Sequence, residues 1–312
     1  MSGTYNNTDN SHAPKNDKHP PTNDKPNITP TNARQLMAKH GLYPQKKLGQ
    51  NFLIDNHVLD KIVAAANLDD SELVIEIGPG LGALTNRLAE IAQKVCAIEI
   101  DTKLAELLQA NAAPNVEIIN KDILKTDLAD IIASNSKSGS AKLVANLPYY
   151  ITTPIIFGVL ENNLPINTMV VMVQKEVADR ILAGPSTKAY GLLTLSIAYY
   201  GKASLIANVP PNCFFPRPDV HSAVIKIDVK PHEHINKDLF FAITKAAFSS
   251  RRKTLQNCLA SSKALEISKD DAAGLIKAAG LCKNIRGEAL GFEQFTELAR
   301  LMAQMGKDTV NG

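Results

Sequence analysis

Asn146-Leu147-Pro148-Tyr149 sets an amide side chain, a peptide carbonyl, a proline and an aromatic ring in four consecutive positions, directly after the apolar run Leu143-Val144-Ala145. These groups can grip the exocyclic amino group of a nucleobase. An adenine amino nitrogen is a poor nucleophile, because its lone pair is delocalised into the ring. Two acceptors facing its hydrogens, the Asn146 side-chain oxygen and the Leu147 carbonyl, favour a pyramidal nitrogen whose lone pair points outward. Pro148 restricts φ and so fixes the direction of that carbonyl. Tyr149 offers a stacking face, a contact worth about 1–3 kcal/mol per base. A set of this kind orients and preorganises its substrate, and it calls for neither a nucleophilic triad nor a metal. The chemistry implied is methyl transfer from S-adenosylmethionine to a nucleobase nitrogen.

The donor's place is indicated upstream, in Glu76-Ile77-Gly78-Pro79-Gly80-Leu81-Gly82. Glycines such as Gly78 and Gly80 admit positive φ and let backbone approach a ligand closely. Glu99 ends the next apolar run, where a carboxylate can accept both hydroxyls of a ribose. Asp122 follows the third run and can accept an adenine amino group, with Ile123 packing on the ring. Gly78, Gly80 and Ala83 also satisfy a loose G-x-G-x-x-G/A fingerprint, with Glu99 suitably spaced, so the glycine loop alone leaves a nicotinamide cofactor open. That alternative has no use for Asn146-Leu147-Pro148-Tyr149. A second aromatic, Phe215, sits in Phe214-Phe215-Pro216-Arg217-Pro218; it can cover the other face of the base, with Arg217 near a phosphate and Phe214 in the core. A base inside a paired helix cannot reach such a pocket, so the target must be flipped out or unpaired.

These residues need a frame. Apolar runs at 73–77, 95–99, 116–119, 143–145 and 169–173 read as strands, and 83–91, 101–110 and 175–182 as helices between them. The alternation predicts an α/β fold with a mostly parallel sheet covered on both faces. Ligands of such sheets bind beyond the carboxyl ends of the strands, at the switch point. Runs at 204–207 and 223–227, joined by a Pro-rich loop, read as an antiparallel addition at one edge. Residues 237–305 show no convincing strand, and helical spacing recurs in 239–248, 272–279 and 292–302. The expected division is therefore a tail over 1–33, a sheet domain over 34–231 and a small helical domain over 232–312. The tail is almost free of apolar residues and is expected to be disordered. Residues 134–140 read as an exposed loop.

Composition narrows the class further. The chain has 312 residues, 45% hydrophobic, with a net charge of +3 and no Trp, so a real core is available and an RNA partner is permitted without being demanded. The four cysteines form no CxxC pair and fit reduced thiols in a cytoplasmic protein. No run of about 18 apolar residues predicts a membrane span, and the N-terminus has no secretory h-region.

Taken in order, the motifs resemble the KsgA/RsmA-type small-subunit ribosomal RNA adenine dimethyltransferases. The resemblance covers about residues 40 to 300. It is carried by Leu48-Gly49-Gln50-Asn51-Phe52-Leu53, the glycine loop from Glu76 to Thr85, and Asn146 to Pro154. It continues through Val173-Gln174-Lys175-Glu176-Val177-Ala178 and Phe215-Pro216-Arg217-Pro218-Asp219-Val220-His221-Ser222. Phe248-Ser249-Ser250-Arg251-Arg252-Lys253-Thr254-Leu255 and Arg286-Gly287-Glu288-Ala289-Leu290 complete it. The resemblance implies a Rossmann-like class I S-adenosylmethionine-dependent methyltransferase domain with a small C-terminal all-helical domain. It implies transfer of two methyl groups to each of two adjacent adenosines near the 3′ end of 16S rRNA, in an assembling small-subunit (pre-30S) particle. By motif, the donor would contact Asn51, Leu53, Gly78, Glu99, Asp122 and Asn146.

Relatives of the Erm type, which act on large-subunit rRNA, share much of the catalytic segment; Thr153-Pro154 and the Arg251-Arg252-Lys253-Thr254 run favour the small-subunit branch. Tyr150 and Thr152 stand where Asn and Ser are frequent in the family and could alter the pocket rim. Arg251, Arg252 and Lys253, with Lys46-Lys47, Lys245, Lys283 and Arg286, suit phosphate contact. A non-enzymatic class stays open beside the enzyme: an RNA-binding assembly factor whose methylation is secondary. A monomer is expected.

Overall fold

The structure, a computed structural model, describes residues 30–308. Its strands are β1 (Phe52–Leu53), β2 (Leu73–Ile77), β3 (Lys94–Glu99), β4 (Val116–Asn120), β5 (Ala141–Asn146), β6 (Ile166–Gln174), β7 (Gly201–Val209), β8 (Phe214–Phe215) and β9 (Ser222–Val229). Its helices are α1 (Pro30–Lys39), α2 (Asn56–Ala66), α3 (Ala83–Ala89), α4 (Thr102–Asn111), α5 (Leu128–Asn135), α6 (Thr152–Glu161), α7 (Lys175–Ile181) and α8 (Leu192–Tyr200). The C-terminal helices are α9 (Lys237–Ala247), α10 (Leu255–Ala260), α11 (Lys269–Ala278) and α12 (Phe292–Asp308).

One seven-stranded sheet organises the molecule, in the order β4-β3-β2-β5-β6-β9-β7. The pairings from β4 through β6 are parallel. β9 runs antiparallel to both β6 and β7, which makes the expected antiparallel addition at that edge. The chain enters at β2, builds outward to β4, then returns to β5 on the other side. The strand order therefore reverses between β2 and β5, and the gap beyond their carboxyl ends is where an open sheet receives its ligand. All five residues of β2 are buried, as a parallel strand covered on both faces requires.

Successive residues of β2 face opposite layers. Leu73, Ile75 and Ile77 join one buried cluster, which includes α5, α6, α7 and α8. Val74 joins the other, under α2 and α3. The first cluster does not stop at residue 231. It runs through Tyr190, Tyr199 and Tyr200 into Phe240, Leu255, Leu275 and Phe295. The secondary structure changes type there, while the apolar core continues. Tyr190 marks the seam, its hydroxyl donating to the Leu290 carbonyl at 2.7 Å.

Two local differences from the sequence reading have simple causes. The polar tail expected over 1–33 lies outside the described residues except at its end, where α1 begins at Pro30. Ala33 and Met37, one helical turn apart, bury themselves against Phe52 and Leu104. The Pro-rich loop also contains a strand: β8 pairs with β1 as a separate two-stranded sheet, Phe52 opposite Phe215. Pairs this short leave no alternating pattern to read.

Gly287, from the Arg286-Gly287-Glu288 motif, is packed so closely that an added Cβ would lie 2.7 Å from the Ala247 carbonyl oxygen. A Gly287→Ala variant is expected to lose about 1–3 kcal/mol of stability through overpacking. The check is a lowered urea midpoint with an unchanged slope.

Candidate active site

A cleft opens at the carboxyl ends of β2, β3, β4 and β5, enclosing about 970 Å³ of empty space including its mouth. Its floor is the glycine loop between β2 and α3. Gly78, Gly80 and Gly82 all have positive φ, at 69°, 58° and 82°. At Gly80 the need is double, because a Cβ there would meet the Phe52 ring at 2.7 Å. Gly78 lies under Pro148, whose ring is 3.8 Å from the position a Cβ would take. The glycine loop and the Asn146–Tyr149 segment thus touch.

Glu99 ends β3 and is 5% exposed. Its two oxygens are held by backbone: Oε2 accepts from Gly80 N at 3.3 Å and Oε1 from Asp101 N at 2.9 Å. Burial raises its pKa to about 6, against those hydrogen bonds. Glu76 is buried deeper, in β2 itself, and burial with the neighbouring Glu99 charge pushes its pKa up to about 8. Thr85 lies near enough to oppose that rise, yet Glu76 Oε2 and Thr85 Oγ1 each lack a hydrogen-bond partner. Asp122 follows β4, its Oδ1 accepting from Leu124 N at 3.0 Å, and Ile123 lies beside it on the cleft wall.

Asn146 is the last residue of β5. Its Nδ2 donates to the Asn51 carbonyl at 3.0 Å. That bond commits the donor prong of the amide to the loop and leaves Oδ1 as the prong for a ligand. Leu147 is buried and donates its N–H to the Met172 carbonyl at 3.2 Å, which ties the segment to β6. The Pro148 carbonyl accepts from Ile151 N and from the Thr152 hydroxyl, closing a tight turn. Thr152 is buried and serves that carbonyl, so the rim expectation falls on Tyr150, which is 54% exposed. The Tyr150 phenol pKa is raised, by partial burial first and then by the Asp122 and Glu99 charges. Tyr149 is half-buried; its hydroxyl is 2.6 Å from Ser222 Oγ, which is fully buried at the start of β9.

The structure brings Asn51, Leu53, Gly78, Gly80, Glu99, Asp122 and Ile123 into one cleft with Asn146, Leu147, Pro148 and Tyr149. Phe215 is not part of that lining. It is half-buried one layer away, opposite Phe52, with the Arg34 guanidinium of α1 over its ring at 5.1 Å. Arg217, Arg252 and Lys253 are exposed and also outside the cleft lining. Arg251 is partly used internally, donating to the Tyr190 carbonyl at 2.7 Å. The sequence reading assigned no role to Glu76 or Ser222. A carboxylate in the middle of an apolar run was the available signal for the first.

The donor set matches its group. Close backbone at the glycines, carboxylates after β3 and β4 and a buried carboxyl with one oxygen lacking a hydrogen-bond partner suit a cationic nucleoside. A sheet of this order with that cleft defines a Rossmann-like S-adenosylmethionine-dependent methyltransferase. The profile of the family described as "Ribosomal RNA adenine dimethylase" matches residues 43–288, and the chain belongs to that family.

Among curated proteins, ribosomal RNA small subunit methyltransferase A of Lachnoclostridium phytofermentans is 45% identical over 284 residues, 89% of this chain and 98% of that protein. The protein of the same name from Alkaliphilus metalliredigens is 44% identical, covering 88% of this chain and 98% of its own. Among solved structures, a dimethyladenosine transferase from Plasmodium falciparum superposes with a TM-score of 0.72 at 26% identity, covering 82% of this chain and 98% of that one. The 23S rRNA methyltransferase ErmE gives 0.65 at 25%, covering 81% of this chain and 100% of its own.

Glu76 makes stability depend on pH with a definite sign. The unfolded chain loses this proton near 4.5, whereas the folded chain holds it to about 8. Its contribution is complete below the lower value and is lost as pH rises toward the upper one. Glu99 acts in the same direction up to about 6. The thermal midpoint of the ligand-free protein should therefore fall between these limits, and Glu76→Gln should flatten the fall. Calorimetry across that range checks both; a wild-type midpoint that climbs through it would contradict the assignment.

Proposed function

We propose that this chain uses S-adenosylmethionine to dimethylate the N6 amines of two adjacent adenosines near the 3′ end of 16S rRNA, in the assembling small subunit. The observation that carries the proposal is the Asn146 amide, held by the Asn51 carbonyl so that its oxygen is free in a cleft shared with Glu99. The names of the curated relatives support the small-subunit target.

The donor, when bound, supplies an electrophilic methyl group on a sulfonium. Glu99 accepts its ribose hydroxyls, Asp122 its adenine amino group, with Ile123 against the ring and Asn51, Leu53, Gly78 and Gly80 closing around it. Asn146 Oδ1 and the Leu147 carbonyl accept the two hydrogens of the target amine and aim its lone pair at that methyl; in each transfer a nitrogen–carbon bond would form as the carbon–sulfur bond breaks, the neutral thioether leaving and the nitrogen giving up one proton to water. The tight turn after Pro148 keeps the carbonyl in place. Tyr149 stacks on the base, which has left its helix to reach the cleft. Phe215 covers the other face once the Arg34 contact yields. Arg217, Arg251, Arg252 and Lys253, on the loop before β9 and between α9 and α10, hold phosphates and position the RNA. The partner is the small-subunit precursor particle, met in the cytoplasm by a monomer.

Incubating the protein with labelled donor and under-methylated small-subunit particles, then identifying the modified nucleosides, tests the reading. Dimethyladenosine at two neighbouring 16S positions is expected. Modification of large-subunit rRNA instead would favour the Erm-type reading, which the likeness to ErmE keeps in view. Particle binding without any transfer would favour the assembly-factor reading. Asn146→Ala should lower kcat by about 10²–10³-fold, the usual cost of one preorganised polar contact, while particle binding persists.

Tyr149→Phe and Ser222→Ala remove the same hydrogen bond, worth about 1 kcal/mol. Each should slow transfer about fivefold, and the double variant no more than either. Single-turnover rates decide this; additive losses would separate the two residues.

A further inference from the structure

We propose that Asp101 is a positioning residue: it clasps the loop over residues 45–51 to the donor acid and through that loop sets the catalytic amide. This rests on the roles given above to Glu99 and Asn146. The loop supplies Gly49, Gln50 and Asn51 to the cleft wall, and its own regular structure is a single three-residue turn, Lys46–Leu48. Something outside it must hold it in place. At its far end β1 pairs with β8. At its near end the Nε2 groups of Gln45 and Gln50 both donate to Asp101 Oδ2, at 2.6 and 3.1 Å. Gln45 N donates to Gln50 Oε1 at 2.7 Å, so the two glutamines and the carboxylate close a ring.

The other atoms of Asp101 are also committed. Oδ1 caps α4 by accepting from Lys103 N and Leu104 N, and the backbone N–H donates to Glu99 Oε1. An ordinary N-cap needs one oxygen and local partners. Here the second oxygen is taken by amides 56 and 51 residues away in sequence, which capping does not require. The carboxylate sits at the positive end of α4, and bonds to an ionised acceptor are the stronger kind. Asp101 is 9% exposed and is not among the residues lining the cleft. Its influence passes through two others: directly to Glu99, and through Gln50 and the Asn51 carbonyl to Asn146.

The test compares the full chain with Gln45→Ala/Gln50→Ala and Asp101→Asn. Asparagine caps a helix about as well as aspartate, so the second variant weakens the clasp and spares α4. Measured are donor affinity by calorimetry, kcat and KM for under-methylated particles at saturating donor, and the thermal midpoint. In the double variant kcat should fall about tenfold to a hundredfold, as expected for a misplaced reacting group. Donor affinity should weaken several-fold, with KM for the particle unchanged. Asp101→Asn should fall between, and adding it to the double variant should cost nothing further.

A double variant with kcat and donor affinity within about twofold of wild type, below about 0.4 kcal/mol, overturns the clasp. A loss that merely follows the folded fraction overturns it too. A wild type without methyl transfer counts against the proposed function, and donor affinity alone then judges the clasp.

Discussion

An amide side chain can turn either prong toward a ligand, and only one of them serves to activate an amine. The hydrogen bond from Asn146 Nδ2 to the Asn51 carbonyl makes that choice. In the proposed reaction, a reversed amide would set its NH₂ against the hydrogens of the target amine and repel them. The rest of the cleft is arranged so that this bond can form. Asn146 must end a central strand, and Leu147 must be anchored to the next strand through Met172. The loop carrying Asn51 must lie across the strand ends. Its course over the glycine loop is possible because Gly80 has no side chain to meet Phe52. Positive φ alone would already favour glycine there. The approach of the aromatic ring makes any larger residue a steric problem as well.

The sheet explains why residues so far apart in sequence meet. Parallel strands all present their carboxyl ends to one edge, so each connection from strand to helix delivers its first residues to the same side. Glycine loop, Glu99, Asp122 and Asn146 are four such deliveries from β2, β3, β4 and β5. β9, antiparallel, delivers its amino end to that edge instead, and so Ser222 reaches the Tyr149 hydroxyl. One reversed strand thus braces the aromatic ring from a direction the parallel strands do not supply.

How far the sequence could be read follows from the same physics. Parallel strands are buried on both faces, and their continuous apolar runs at 73–77, 95–99 and 169–173 are legible for that reason. So are the glycines and acids at their ends, since each is chemically out of place in an apolar run. Helices α6 and α8 were not legible: in α6 the buried Ile155, Ile156, Val159 and Leu160 share one face, but Pro154, Phe157 and Gly158 beside them supply no charged stripe, and in α8 Leu195, Ile197, Tyr199 and Tyr200 are buried on more than one side, so neither shows a clear polar period. α2 does carry a stripe, Val58, Leu59 and Ile62, which the sequence reading passed over. The position of Phe215 was beyond reach, because it depends on a two-residue pairing with β1 and on Arg34 in α1. Ser222 was visible as part of a motif, but its partner is 73 residues away and only the fold pairs them.

The cleft also concentrates the cost of burying acidic groups. Elsewhere a buried charge is matched, as where Lys142 meets Glu72 at 2.7 Å and the Asn67 carbonyl at 2.6 Å. In the cleft, Glu76 and Glu99 are buried side by side without a cation, and Glu76 Oε2 has no hydrogen-bond partner. Such an arrangement lowers the stability of the ligand-free chain. A cationic nucleoside entering the cleft would favour the ionised form of both carboxyls and so offset that cost. Binding to the folded state alone then raises stability in proportion to occupancy. In the proposed function the two acids therefore favour a positively charged donor over a neutral nucleoside of the same shape, and the Asp101 backbone N–H holds one oxygen of Glu99 at the end of β3.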